Sequence, residues 1–148
     1  MSNIIVDLDG TLANLDHRLH LISSKPPNWK AFYEACDKDT PITPIIRLVN
    51  VMYNTLSHQI IIFSGREETV KDKTEQWLVN NGVQHHHLIM RKKGDYRPDR
   101  IIKKEMLLNA PNKNVKDDIL FILEDRSSVV KMWRDMGYTC LQVAEGDF

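Results

Sequence analysis

The hydrophobic positions of this chain fall into two patterns. Short, near-continuous apolar runs occupy residues 3–8, 59–63 ("QIIIF"), 87–90 ("HLIM"), 118–123 ("DILFIL") and 139–143 ("TCLQV"), and each reads as a strand. Between them, apolar residues recur with helical spacing. Trp29, Phe32, Tyr33 and Cys36 do so behind Asn28, a good N-cap residue, and predict a helix over 28–37. Ile45, Leu48, Val49 and Met52 predict another over 44–56. Further helices are expected over 67–81, closed by Gly82, over 98–109, opened by Pro98 and stopped before Pro111, and over 126–136, closed by Gly137.

Strands that are apolar throughout and alternate with helices imply a parallel sheet covered on both faces. The expected fold class is therefore α/β, a three-layer sandwich with right-handed crossovers. One domain over 1–148 is expected, with a core of 1–11 and 44–148. The stretch 12–43 is long for a strand-to-helix connection, so it should form a small helical cap inserted after the first strand. In such sheets ligands bind beyond the carboxyl ends of the strands. The polar clusters lie there: "DLDGT" (7–11), "SGR" (64–66), "MRKKGD" (90–95) and "EDR" (124–126).

Composition narrows the partners. The 148 residues carry 20 Lys and Arg against 20 Asp and Glu, a formal charge of +0. A broad basic face for long nucleic-acid tracts is thus not expected, and any such contact should be local and short. The apolar runs are far too short to span a bilayer, and the start lacks the basic region of a signal peptide. The expectation is a cytoplasmic chain with no membrane partner. Cys36 and Cys140 have no metal-type spacing and read as buried free thiols.

The chemistry starts at Asp7 and Asp9, one residue apart at the end of the first strand. Ionised carboxylates beside a low-dielectric interior are costly without a cation or a shared proton. Glu124 and Asp125 leave a neighbouring strand, bringing acidic groups to the same end of the sheet. A hard, oxygen-rich ligand set suits Mg²⁺, with Asp7, Asp9, Glu124 and Asp125 as candidate metal residues. Because the chain turns after Asp7, Asp7 should offer its side chain and Asp9 its backbone carbonyl. The Asp9 carboxyl would then be free to carry a proton. Gly10 permits the tight turn, and Thr11 can bond a phosphate or the turn itself. Ser64 and Gly65 offer a hydroxyl and backbone N–H groups to an oxyanion, and Arg91 leaves the third strand as a further substrate contact. Lys103, near a helix start, can neutralise charge between metal and substrate. The set suits phosphoryl transfer. Asp7 would be the nucleophile that forms an aspartyl-phosphate. Asp9 would protonate the leaving alkoxide and then deprotonate water.

These residues carry a family resemblance. "DLDGTL" (7–12) matches the DxDGT signature of the haloacid dehalogenase (HAD) superfamily, Ser64 its second motif, Lys103 its third and Glu124–Asp125 its fourth. "SGRE" (64–67), "RPDRIIKKE" (97–105), "EDRSSVVKMWR" (124–134) and "CLQVAEGDF" (140–148) further resemble the 3′-phosphatase domain of bacteriophage polynucleotide kinase–phosphatases. The likeness covers most of the chain outside about 19–40. It implies a HAD-like Rossmannoid fold and an Mg²⁺-dependent phosphomonoesterase that removes 3′-phosphate from nucleic-acid ends or nucleotides. It also implies that Arg18 and Arg66 contact substrate or phosphate and that Asp99 orients Lys103. Glu124 departs from the phage pattern of two aspartates, which makes Asp125 the expected direct metal ligand with Glu124 behind it. The 19–40 stretch looks longer than in the phage domain, so substrate choice can differ. No G-x-x-x-x-G-K-[ST] loop occurs, which implies a free-standing phosphatase with a separate kinase or ligase as partner.

Two other functions fit the same residues: a 5′-nucleotidase for free (deoxy)nucleoside monophosphates, and a non-catalytic phosphate-binding partner of a kinase. His85–His87 read as a polar turn and strand entry, because adjacent strand residues face opposite sides. Trp77 and Trp133 read as core. Trp29, with Phe32 and Tyr33, either packs the cover or stacks on a substrate base.

Overall fold

The structure is a computed structural model that describes residues 1–110, 112 and 114–148. In chain order the first elements are β1 (Ser2–Asp7), β2 (Ala13–Asn14), α1 (His20–Ser23), α2 (Trp29–Glu34), β3 (Thr40–Pro41) and α3 (Thr43–Asn54). Then follow β4 (His58–Glu67), α4 (Lys71–Asn80), β5 (His87–Arg91), α5 (Asp99–Leu108), β6 (Ile119–Glu124), α6 (Ser127–Asp135) and β7 (Cys140–Gln142). Five strands form a parallel sheet in the order β5-β4-β1-β6-β7. β1 is therefore central, and its carboxyl end opens between β4 and β6.

Strand alternation sorts the core into two layers. Ile4, Val6, Ile60 and Ile62 point to one face and pack with Ile46 and Val49 of α3 and Trp77 and Leu78 of α4. Ile5, Ile61, Phe63 and Ile122 point to the other and pack with Ile102 and Met106 of α5 and Val129, Val130 and Trp133 of α6. This is the expected three-layer α/β sandwich. Both cysteines are buried and unpaired. Among the described residues, no helix is long and apolar enough to cross a membrane.

Element boundaries differ at instructive places. β4 does not stop at residue 63 but runs on through "SGRE". The register shifts between Ser64 and Glu67, and Glu67 pairs with Arg91 on β5. The irregularity delays the following helix, which begins at Lys71 after a short 3₁₀ turn rather than at 67. α5 ends at Leu108; its predicted stop, Pro111, lies outside the described residues.

The segment between β1 and α3 is tied at its base. β2 pairs with β3, setting Ala13 opposite Pro41 and Asn14 opposite Thr40. The Ile42 N–H donates to the Leu12 carbonyl at 2.8 Å. Between these ties lie short helical pieces. Asn28 caps α2 as the sequence suggests, accepting from the Ala31 N–H at 3.1 Å. Cys36 seats this segment on Val70 and Met90.

Candidate active site

Alternation along β1 puts Asp7 on the same face as Ile5, toward α5 and α6. There Lys103 of α5 meets it, donating to Asp7 Oδ1 at 2.5 Å and to Glu124 Oε2 at 2.7 Å. Thr11 donates to Asp7 Oδ2 at 2.8 Å, so its hydroxyl serves the turn and the aspartate. Glu124 Oε1 accepts from the N–H groups of Asp125 and Arg126, both at 3.2 Å. Carboxylate oxygens of Asp7, Glu124 and Asp125 lie within 4.8 Å of one another, all on buried residues.

Gly10 makes this convergence possible. Its φ is +86°, and a Cβ there would lie 2.0 Å from Asp125 Oδ2. Gly10→Ala is expected to cost about 1–2 kcal/mol from the backbone alone. By displacing Asp125 it should also weaken any divalent-cation binding at these carboxylates by about tenfold or more; thermal melting and calorimetry read the two effects.

Crowded, buried carboxylates resist ionisation. Burial, then the charge of Glu124, pushes the Asp7 carboxyl well above the ordinary carboxylate value. The same two causes raise Asp125 to about 6. Burial works to lower Lys103, but the charges of Asp7 and Glu124 outweigh it and raise it, so it stays protonated. Three buried carboxylates thus lie around one lysine, which bonds two of them, Asp7 and Glu124. Among the described residues no N–H donates to the Asp125 carboxylate, which leaves its oxygens available. An all-oxygen donor set with surplus negative charge fits a hard divalent cation. Asp7 and Asp125, backed by Glu124, are the side chains that could hold one.

The pH consequence follows in sign. A carboxyl raised on folding binds protons more readily folded than unfolded. In the metal-free protein, the Asp7 and Asp125 contributions to stability therefore grow as pH falls through about 6 toward the ordinary 3.8. Urea midpoints in chelator are expected to be higher near pH ~5.5 than near pH ~7, and the difference to shrink in Asp125→Asn. A divalent cation on these oxygens would compete with protons and favour the higher pH. A midpoint unaffected by Asp125→Asn would count against this assignment.

Asp9 belongs to a different cluster. Its Oδ1 accepts from Arg66 Nε and Nη2 at 2.9 and 2.7 Å and from Arg18 Nη2 at 3.0 Å. Burial works to raise this carboxyl, but Arg66 and then Arg18 outweigh it and hold it below the ordinary value. The expectation of an Asp9 carboxyl free to carry a proton is corrected: two guanidiniums hold it ionised. It also stands outside the Asp7–Glu124–Asp125 group, so its carboxylate is not placed as a metal ligand. Behind the arginines lies Asp39, which sequence reasoning missed. Its Oδ1 accepts from Arg18 Nε at 2.8 Å, and its Oδ2 accepts from Arg18 Nη2 and Arg66 Nη2 at 2.7 and 2.8 Å. His17 Nε2 lies 2.6 Å from Oδ1. Arg18 and Arg66 are fully buried in this network, so their guanidiniums meet Asp9 and Asp39 rather than open space.

Asp99 is also corrected. It does not bond Lys103. Its Oδ1 pairs with Arg91 Nη2 and its Oδ2 with Arg126 Nη1 at 3.0 Å. On the first turn of α5 it reaches outward to two guanidiniums, and Lys103 feels only its charge. Arg91 is mainly a brace. It donates to the carbonyls of Gly65 at 2.7 Å, Asp95 at 2.9 Å and Arg97 at 2.7 Å. Gly65 lies against Asp99, where a Cβ would be 2.7 Å from Oδ1. Ser64 is fully buried at the β4 end, and its Oγ accepts from the Arg66 N–H at 3.1 Å.

Above these groups opens a cavity of about 270 Å³ with Asp7, Asp9, Glu124 and Asp125 among its lining residues. His85–His87 contribute no metal cluster among the described residues. His86 stacks on Tyr53 with centroids 4.6 Å apart, as a polar strand entry would.

Comparison with known proteins decides what this arrangement belongs to. The family described as the polynucleotide kinase PNKP phosphatase domain, of the HAD type, matches residues 1–148. The chain belongs to this family. It is a HAD-type phosphatase domain of the PNKP kind, and its relatives agree with that placement. A chain of the Pnkp1/Rnl/Hen1 RNA repair complex is 33% identical with a TM-score of 0.84, covering 100% of this chain and 44% of that one. A baculovirus protein (Autographa californica nuclear polyhedrosis virus), described as a bifunctional polynucleotide kinase/RNA ligase, is 25% identical over 137 residues, 90% of this chain and 18% of its own length. L-2-haloacid dehalogenase from Xanthobacter autotrophicus shares the fold, at 10% identity and a TM-score of 0.57, covering 97% of this chain and 77% of that one. This PNKP-type domain thus spans less than half the length of its repair-complex and viral relatives.

Proposed function

We propose that this domain is an Mg²⁺-dependent polynucleotide 3′-phosphatase working through an aspartyl-phosphate. The observation that carries the reading is Asp7, a carboxylate held by Lys103 and Thr11 on the wall of the cavity and flanked by Glu124 and Asp125. An Asp7 oxygen attacks phosphorus and the bond to the 3′-oxygen breaks, the departing oxygen taking a proton from solvent water to become the 3′-hydroxyl. Water then attacks the aspartyl-phosphate, Asp9 takes its proton, and the Asp7–phosphorus bond breaks to give phosphate. Mg²⁺ bound by Asp7 and Asp125 would neutralise charge on the transferring phosphoryl group.

Arg18 and Arg66 tune the second step. By keeping Asp9 ionised they hold it as the base, and they assist its acid role least. Asp39 and the cover segment 12–43 keep these arginines in place. Lys103 stays charged beside the nucleophile, where the incoming phosphate adds negative charge. Gly65, on the cavity wall, offers its backbone to the phosphate. The RNA repair complex and the viral ligase relative support nucleic-acid ends as substrate and a ligase as the partner that uses the 3′-hydroxyl. Two buried thiols suit a reducing cytoplasm.

A substrate panel tests this, with 3′-phosphorylated oligonucleotide, 3′-nucleotide, 5′-nucleotide and sugar phosphate, each with Mg²⁺ and with chelator. The oligonucleotide is expected to give the highest kcat/KM, and chelator to abolish turnover. A higher kcat/KM for 5′-nucleotides would replace this reading with a 5′-nucleotidase. Phosphate binding without turnover on the whole panel would leave a non-catalytic binder.

A further inference from the structure

Trp29, Tyr33 and Tyr96 are left without work by the phosphate chemistry. All three line the cavity that also holds Asp7, Asp9 and Asp125. Trp29 is 41% exposed and Tyr96 75%, whereas Trp77 and Trp133 are buried in the core. Core packing therefore explains two tryptophans and not the third. Trp29 and Tyr33 sit one turn apart on α2, with ring centroids 6.0 Å apart and planes tilted by 31°, so they present adjoining aromatic faces. Tyr96 comes from the loop between β5 and α5.

We infer that these three rings form a base-stacking slot beside the phosphate site, occupied by the nucleobase of the nucleotide whose phosphate meets Asp7. This rests on the polynucleotide phosphatase reading and names where that substrate's base goes. The continuity of the cavity supplies the geometric reason: a ligand anchored by phosphate at Asp7 has its organic part among these rings. Stacking on aromatic faces tolerates every base, which suits an activity on ends of any sequence.

The slot is also tied to the catalytic cluster. Phe32, between Trp29 and Tyr33 on α2, lies under the Arg18 guanidinium, 4.3 Å from ring centroid to carbon. Its carbonyl accepts from Arg18 Nη1 at 3.2 Å. One helix thus presents rings to the cavity and braces the arginine that holds Asp9. Beyond the slot, a second hollow shares the same three aromatics and is lined by Lys30, Lys73 and Lys93, a route for the preceding nucleotide. Glu34, Glu67 and Asp72 line it too, so net attraction for backbone phosphates is small and stacking supplies most of the affinity.

The test compares a 3′-phosphorylated oligonucleotide with one whose terminal nucleotide is abasic. In Trp29→Ala and in Tyr96→Ala, the ratio of kcat/KM for the base-bearing end over the abasic end is expected to fall about tenfold or more. Trp29→Phe, which keeps a ring, should recover most of it. Binding is read separately in the Asp7→Asn chain, where the oligonucleotide should quench tryptophan fluorescence and Trp29→Phe should remove the quench. Equal losses on both substrates, an unchanged ratio in Tyr96→Ala, or a quench that survives Trp29→Phe would overturn the slot. Tyr96 is an exposed loop residue, so its variant reports even if Trp29→Ala unfolds the cover. A parent chain that accepts 5′-nucleotides but no 3′-phosphorylated end would overturn the proposed function instead. The slot would then stand if that nucleotide quenches Trp29 and fall if it does not.

Discussion

Replacing Asp7 by asparagine is expected to cut phosphate release by about 10⁴-fold or more while the chain keeps its fold. The amide has nearly the shape of the carboxylate and still offers an oxygen to Lys103 or Thr11. It lacks the negative charge that the proposed mechanism needs to attack phosphorus. The fold should not suffer, because Asp7 sits where burial and Glu124 oppose its ionisation. Removing that charge relieves repulsion with Glu124 and Asp125, so metal-free Asp7→Asn should be at least as stable as the parent. Phosphate-release kinetics and urea denaturation in chelator measure the two halves. Activity within tenfold of the parent would remove Asp7 from the mechanism, and a large loss of stability would contradict the charge balance described here.

Lys103→Met should have the largest effect on stability. The Lys103 side chain is 2% exposed, and its ammonium bonds both Asp7 and Glu124. Among the described residues, no other lysine or arginine side chain bonds either carboxylate. Methionine fills similar volume but leaves buried acidic groups without a cation. Breaking a buried ion pair from one side costs about 3–5 kcal/mol. The loss is expected in full near neutral pH and to shrink toward pH ~5, as the carboxyls take up protons. It should also shrink on adding Mg²⁺, which under the proposed reading would supply positive charge to the same oxygens. Denaturant unfolding at the two pH values, with Mg²⁺ and with chelator, checks this. A loss independent of both would mean that Lys103 acts by packing alone.

Phosphate release should fall as well in Lys103→Met, since in the proposed mechanism the lysine also offsets charge on the bound phosphoryl group. Because both variants touch the same three carboxylates, their stability effects should not add. Asp7→Asn placed on Lys103→Met is expected to restore part of the lost stability, as it deletes one of the stranded charges.

The order of strands and helices was readable because each apolar run is bounded by turn residues and by a change of period. The turn at "DLDGTL" was readable because glycine tolerates the positive φ of a tight turn, here +86° at Gly10. The continuation of β4 through Gly65 was hidden, since a bulge depends on what Arg91 and Glu67 do across the sheet. The partners of the arginines were hidden too. Arg18, Arg66 and Arg91 were named for substrate and Asp99 for Lys103, yet each is committed to other side chains. Local sequence does not reveal which of Asp37 and Asp39 turns inward, and Asp39 is the carboxylate that locks the arginine pair. The usable signal was a need: two arginines converging on one aspartate, Asp9, require more than one counter-charge.

The sequence alone determined that this chain builds a parallel α/β sandwich with acidic groups at its strand ends, because periodicity and turn chemistry act over a few residues. Only the tertiary structure decided which charges neutralise which. Asp7 shares Lys103 with Glu124, Asp9 is held by Arg18 and Arg66, and Asp99 serves Arg91 and Arg126. Electrostatic pairing is fixed by distance through space and by shared burial, and these residues meet only once the sheet and its cover have folded together.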